Sequence, residues 1–195
     1  MPSLSDCDSD LKDLIKRKTK LQKDSSRQSE LGDVIFQIGY NFYQKGYYKE
    51  ALEEFESALE VRKRLHGNVD IANTHRFLGE TLCKLGNDLD RAKFEFDRYY
   101  SITLRINDLV EIQRALTTLG NYYMSLSESK TKRNQNLNDA YSYYLKSYDI
   151  LDEISEKRLV DSKEFDLMKA RTCLNCGKFC FFSINFILLY DLKVY

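Results

Sequence analysis

Apolar positions in this chain recur with a helical period, most clearly from Ile35 to Ala58, IFQIGYNFYQKGYYKEALEEFESA. Ile35, Ile38 and Phe42 stand three or four residues apart, so a helix through them puts all three on one face. Gly39 shares that face and has no side chain, which lets a second helix come close. Gly46 marks a turn, and beyond it Ala51, Phe55 and Ala58 form a small-large-small seam at the same spacing. The pattern predicts a helical hairpin in which an aromatic knob enters a glycine notch. A single hairpin would leave apolar outer faces uncovered, so a stable fold needs several.

The pattern does recur. His75-x2-Leu78-Gly79-x2-Leu82 leads to Gly86 and Ala92-x3-Phe96, and Leu116-x2-Leu119-Gly120-x2-Tyr123 leads to Ala140-x3-Tyr144. Cys173-x2-Cys176-Gly177-x2-Cys180 opens a fourth copy with no second half. The notch glycines stand 40, 41 and 57 residues apart. The arrangement resembles the tetratricopeptide (TPR) signature, W-x2-L-G-x2-Y followed by A-x3-F. That resemblance implies an all-α fold, a superhelical TPR solenoid of antiparallel helix hairpins, with three full repeats and the start of a fourth over residues 31–178. Pro2 is the only proline, which fits an almost wholly helical chain.

Four stretches depart from the repeat. Residues 1–10 are acidic and Ser-rich, and are expected to be disordered. Residues 11–30 form a basic helix with a thin apolar side at Leu11, Leu14, Ile15, Thr19 and Leu21. It either touches an acidic partner or nucleic acid, or caps the first repeat, since repeat arrays need a polar end. The third hairpin carries an insertion, about SESKTKRNQNLN, which is polar enough to predict a solvent loop. A further lengthening lies near Glu156–Glu164, and Gly67 is expected to cap the helix that begins near Lys49. Residues 179–195 (FCFFSINFILLYDLKVY, after Lys178) are strand-like in composition, lack a polar outer face and are too short to span a bilayer. They read as an atypical tail foreign to the repeat, the mark of a truncated product.

Composition and chemistry narrow the function. Formal net charge is zero, so no global field draws the chain to nucleic acid or a membrane surface. The N-terminus lacks a secretory signal, and five cysteines, an odd number, read as reduced intracellular thiols. Cys173, Cys176 and Cys180 fall at i, i+3 and i+7 on the buried side of a repeat, which suits core thiols better than zinc ligands on a tight turn. No phosphate loop, nucleophile elbow or histidine-centred cluster occurs. The tyrosines and phenylalanines fill core slots (Phe42, Tyr48, Phe55, Phe96, Tyr123, Tyr144) rather than forming a nucleic-acid stacking platform. The expectation is a protein without enzymatic activity, metal or cofactor.

Function then falls to the groove that first helices line in such arrays. Projecting from the Ile35 position and its equivalents selects Tyr40, Asn73, Arg76, Glu80, Arg114, Asn121, Arg171 and Asn175 as the peptide-binding set. Asp33, Phe36, Gln37, Tyr43, Cys83, Thr117, Met124, Leu174, Lys178 and Phe181 lie beside them. Arg and Asn can hydrogen-bond the backbone and carboxylates of an extended peptide. Arg76, Arg114, Arg171 and Lys178 against Asp33 and Glu80 make the projected groove net basic.

Three stretches resemble the N-terminal array of the Tonsoku-like family: LKDLIKRKTKLQ before the first repeat, EIQRALTTLGNYY with AYSYYLKSYDILDEI, and MKARTCLNCG. They cover about residues 11–178. The resemblance implies a nuclear, non-catalytic scaffold at chromatin and replication forks that binds histones and supports homologous recombination. A full member adds ankyrin repeats, an acidic stretch and leucine-rich repeats. None of these occurs in the sequence, so its histone-tail site and the binding of its recombination partner subunit are not carried over. What carries over is a protein partner held as an extended peptide, a histone or replication protein, with no membrane. Two other classes remain. One is a cytoplasmic adaptor of the kinesin-light-chain or spindle-orientation type. The other is a co-chaperone clamp, disfavoured because Phe36 and Tyr40 occupy its Lys and Asn slots.

Overall fold

The computed structural model describes residues 9–64, 68–128 and 132–191, with side chains as far as Gly177 apart from Asn68. Eight α-helices and one short 3-10 turn hold nearly all of these residues, and no strand occurs among them. The expectations placed on residues 1–8, on Gly67, on the side chains of Lys178, Cys180 and Phe181, and on 192–195 lie outside the described residues. Two compact units divide at Ile106 and Asn107.

The first unit contains α1 (Ser9–Leu21), the 3-10 turn (Ser25–Arg27), α2 (Gln28–Gln44), α3 (Tyr48–Lys63), α4 (Asn68–Leu85) and α5 (Leu89–Ile106). Helices α2 and α3 pair as one hairpin, α4 and α5 as the next, with α3 packed on α4 and α1 on α2. The second unit contains α6 (Leu109–Leu126), α7 (Arg133–Glu156) and α8 (Ser162–Asp191), where α6 and α7 form the hairpin and α8 packs on α7.

Each hairpin closes as the sequence pattern requires. A Cβ at Gly39 would lie 2.9 Å from Phe55 Cδ1, and one at Gly79 would lie 2.5 Å from Phe96 Cε1. At Gly120 the approach to Tyr144 Cε1 is closer still. Phe55, Phe96 and Tyr144 are buried, as are Ala51, Ala92 and Ala140 four residues before them. Gly46 turns the first hairpin at φ 81° and Gly86 the second at φ 70°, a region glycine enters without steric cost. Aspartates start several helices. The side chain of Asp88 accepts from Arg91 N at 2.9 Å, that of Asp108 from Glu111 N at 3.1 Å, and that of Asp161 from Glu164 N at 2.8 Å.

Helix α1 is shorter than the basic stretch and ends at Leu21. Leu11 and Leu21 are buried in the same core as Leu31, Val34, Ile35 and Ile38. Two of its basic residues pair with other helices of this unit, Arg17 with Glu30 and Lys18 with Glu54, both at 2.6 Å.

Three local expectations are corrected. The polar insertion is not one loop, because α7 begins at Arg133 and takes its second half into helix. Leu137 explains this, since it is buried one turn before Ala140 on the seam. The strand-like tail is helical, with α8 continuing to Asp191. Cys173 is exposed rather than in the core. Its equivalents Ile35, His75 and Leu116 are buried in complete hairpins, whereas α8 has no second helix among the described residues.

The contrast among the glycines predicts stability. Gly79→Ala and Gly120→Ala force a methyl group into a ring and should each cost about 1–3 kcal/mol. Gly177→Ala, where nothing lies within 4 Å, should instead stabilise by about 0.5–1 kcal/mol through helix propensity. Urea denaturation of the three variants checks the opposite signs.

Candidate functional site

In the first unit, α2 and α4 meet through aromatic rings, and several projected groove residues converge there. Phe77 is the hub. Its ring centroid lies 5.4 Å from those of Phe36 and Phe55, 5.3 Å from Tyr40 and 5.8 Å from Tyr43. The ring of Tyr40 meets Phe77 at an interplanar angle of 78° and keeps 39% of its surface exposed. Arg76 lays its guanidinium 4.2 Å from the Phe77 centroid and donates from Nη1 to Glu80 Oε1 at 3.0 Å. Tyr43 donates its hydroxyl to Glu80 Oε2 at 3.4 Å. Tyr40, Arg76 and Glu80 thus form one surface, with Asn73 half-buried a turn before Arg76.

Electrostatics on this face are local. Burial, then the charge of Glu80, raises the Tyr43 hydroxyl well above the usual phenol range. Burial also pushes the Cys83 thiol up to about 11, with Glu80 adding to the effect. Asp33 is claimed by Arg62, whose Nη2 donates to Asp33 Oδ1 at 2.9 Å. Arg62 is buried, donates to Thr74 Oγ1 at 2.8 Å and to Asp70 O at 3.1 Å, and stacks 4.5 Å from the Phe36 centroid. Asp33, one of the two acids counted in the projected groove, is therefore already neutralised within the fold.

In the second unit, Arg114 and Asn121 lie on α6, and Arg171 and Asn175 on α8. Arg114 is paired with Glu111, one turn back. Asn121 is exposed and its Oδ1 accepts from the Tyr144 hydroxyl at 2.8 Å, so the hairpin's own knob orients it. Arg171 is exposed. Asn175 is a correction: it is buried, its amide nitrogen without a partner, on the packed side of α8 with Met168 and Thr172. Those three residues follow a helical 4-then-3 spacing, and that spacing turns Asn175 inward.

Sequence reasoning missed a buried polar cluster that ties this unit together. Gln113 Nε2 lies 2.9 Å from Thr172 Oγ1, 3.1 Å from Ser147 Oγ and 3.3 Å from Thr117 Oγ1, joining α8, α7 and α6. It missed Phe77 as well, although the aromatics at Phe36, Tyr40 and Tyr43 one repeat earlier were a signal that an aromatic there would have neighbours. Among the described residues, no group of three His, Cys, Asp or Glu side chains could hold a metal, and no helix is long and apolar enough to cross a membrane.

No family model matches the chain. Curated relatives do. Over 171 residues, 88% of this chain, it is 30% identical to the Tonsoku-like protein of Bos taurus and 28% identical to that of Mus musculus. Over 168 residues, 84% of the chain, it is 29% identical to the Tonsoku-like protein of Drosophila melanogaster. The chain belongs to the Tonsoku-like family. It spans 12% of the length of these relatives. The kinship therefore concerns the helical-repeat segment of a Tonsoku-like protein.

Cys83 reports on the α2–α4 face of this Tonsoku-like segment. With its thiol raised from 9.0 to about 11, iodoacetamide at pH 8 should alkylate it roughly 100-fold more slowly than an ordinary thiol. Glu80→Gln should speed the reaction, because removing a carboxylate favours the thiolate. Mass-spectrometric peptide mapping over time gives both rates. The raised value also means that this burial favours folding below about pH 9 and that its contribution fades as pH rises through about 11.

Proposed function

We propose that this chain is a non-catalytic protein-binding scaffold of the nucleus. It acts at chromatin and replication forks, where it holds extended peptide segments of histones or replication proteins in support of repair by homologous recombination. The observation that carries the reading is kinship with Tonsoku-like proteins over 88% of the chain, in a segment built of helix hairpins. Repeat hairpins of this kind present the exposed sides of their first helices to partners.

The chemistry of those faces supports peptide binding. Arg76 is held flat against Phe77 and uses one donor on Glu80, so other guanidinium donors remain for a ligand carboxylate or carbonyl. Glu80 in turn suits a Lys or Arg of a basic peptide, with Tyr40 and Tyr43 beside it. Asn121, fixed through its oxygen by Tyr144, presents its amide donors to a peptide backbone. Arg76 and Arg114 are each neutralised by an acid on the same helix. Binding there therefore depends on geometry more than on bulk charge.

Titrating histone-tail peptides and acidic peptides against the wild type and the Arg76→Ala, Arg114→Ala and Asn121→Ala variants tests this reading. Hydrogen bonds to charged groups of about 1.5–3 kcal/mol translate to a loss of roughly 10- to 100-fold for either arginine variant. Asn121→Ala, which removes neutral bonds, should cost about tenfold or less. Both arginine side chains lie off the apolar seam, so the melting temperatures of their variants should stay close to that of the wild type, whereas Asn121→Ala leaves the buried Tyr144 hydroxyl without its acceptor and should lower it. Equal binding of one peptide by the wild type and all three variants would refute the assignment of these faces, and no binding of either peptide class would refute the peptide-binding reading.

A further inference from the structure

The third hairpin differs from the first two on the outer side of its second helix. Tyr144, Ser147, Leu151 and Ile154 mark the packed side of α7 and are buried. Tyr141, Leu145 and Tyr148 stand at i, i+4 and i+7 on another side, each 37–42% exposed. Single exposed apolar residues are ordinary, but three in helical register make a continuous stripe. The repeat itself does not require it. Counted from the aromatic knob, Tyr141 and Leu145 are equivalent to Lys93 and Asp97 of α5, which form an ion pair at 2.6 Å. In α3 the position of Leu145 is taken by Glu56, paired with Arg91. Acids continue the stripe on α7: Asp152 follows Tyr148 by four residues, with Asp149 and Glu156 at its edge, all three exposed. None of these acids has an ion-pair partner among the described residues. The helix holds two bases, Arg133 at its start and Lys146, whose ammonium lies 5.5 Å from the Tyr143 ring centroid, and neither is in register with the stripe.

We propose that this face of α7 docks a basic amphipathic helix of a partner protein. Its apolar side chains lie against Tyr141, Leu145 and Tyr148, and its Lys or Arg residues against Asp149, Asp152 and Glu156. Charge complementarity selects the sign of the partner, since the acids on this face are unpaired and no base of α7 shares it. The shape of the stripe selects a helix. It runs straight along one helix for about 22 Å, and a second helix repeats its own apolar residues at the same spacing. The partner is not a folded copy of this chain. Its own basic helix is α1, whose Leu11 and Leu21 are already buried in the core of the first unit, so a copy would offer lysines without an apolar side. The face uses none of the residues assigned above to peptide binding, so it is a second interaction surface.

The full chain is titrated with a fluorescent amphipathic helical peptide of leucine and lysine, with its glutamate counterpart, and with a scrambled peptide of the same composition. Saturable binding of the first peptide alone is expected. Leu145→Gln should weaken it about tenfold, through the lost burial of one large apolar side chain. Asp149→Asn combined with Asp152→Asn should weaken it by a similar factor and flatten its dependence on salt. These side chains are exposed, so melting temperatures should stay close to that of the wild type. Arg76→Ala should leave binding unchanged, which separates this face from the α2–α4 surface. Absence of saturable binding, or equal binding of the glutamate or scrambled peptide, overturns the proposal. Undiminished binding to either α7 variant does so too, since the peptide would then be held elsewhere. A dimer of the chain alone, abolished by Leu145→Gln in sedimentation, would give the face to a second copy and overturn it as well.

Discussion

At Gly39, Gly79 and Gly120 there is no room for a methyl group, and the ring that fills each space comes from the partner helix of the same hairpin. This close approach fixes how far apart the two helices lie and which side chains face each other above and below the notch. Alanine four residues before each ring follows from it, since a larger residue there would lever the helices apart. The large residues flanking each glycine, such as Ile35 and Ile38 or Leu116 and Leu119, are buried because the approach closes over them. At Gly177, where no ring lies within 4 Å among the described residues, the flanking Cys173 is exposed. One contact type thus accounts for both the ordered hairpins and the open helix.

That constraint is also why the hairpins were legible in the sequence. Glycine, alanine and aromatic residues at fixed helical spacing are each hard to replace, so their pattern survives between repeats in plain view. The buried polar groups were not legible. Arg62 sits in the run VRKR and looks like one more solvated charge, yet it is buried beside Gly32, whose Cβ position lies 3.2 Å from Arg62 Cγ. Gly32 falls outside the repeat signature and so gave no warning. The same holds for His75 and Glu95, 20 residues apart and 2.5 Å from each other inside the second hairpin. A buried carboxylate needs a partner, and the pairing is set by the hairpin's geometry rather than by any local spacing.

Candidate binding residues were legible only as positions on a helix. Counting from Ile35 and its equivalents placed Tyr40, Arg76 and Glu80 on one surface, and the aromatic hub shows why they stay there. The same counting put Asn175 outward. Helix α8 instead turns that residue in, together with Met168 and Thr172, on the side bonded to Gln113, and Phe77, placed before Gly79 as Asn175 is before Gly177, is buried too. Rotational setting depends on what a helix packs against, and a periodic pattern weakened by cysteines does not fix it. The insertion before Ala140 failed for a related reason: composition marked it as loop, but the single apolar residue Leu137 sat in register with the seam and drew it into helix.

Charge bookkeeping changes most between sequence and structure. The counted basic residues suggested an attractive field for acids, but two of them, Arg76 and Arg114, are each paired within the fold. A paired arginine on an aromatic face offers oriented donors with little long-range pull, and screening at physiological salt reduces that pull further. Partner choice on such a face is made at contact, by which groups find their hydrogen bonds when water leaves. Rigid support then matters more than net charge. Phe77 provides it by touching Phe36, Tyr40, Tyr43 and Phe55 while carrying the guanidinium of Arg76 on its face. The packing of the first hairpin against α4 therefore sets both the stability of this unit and the geometry with which its surface meets a ligand.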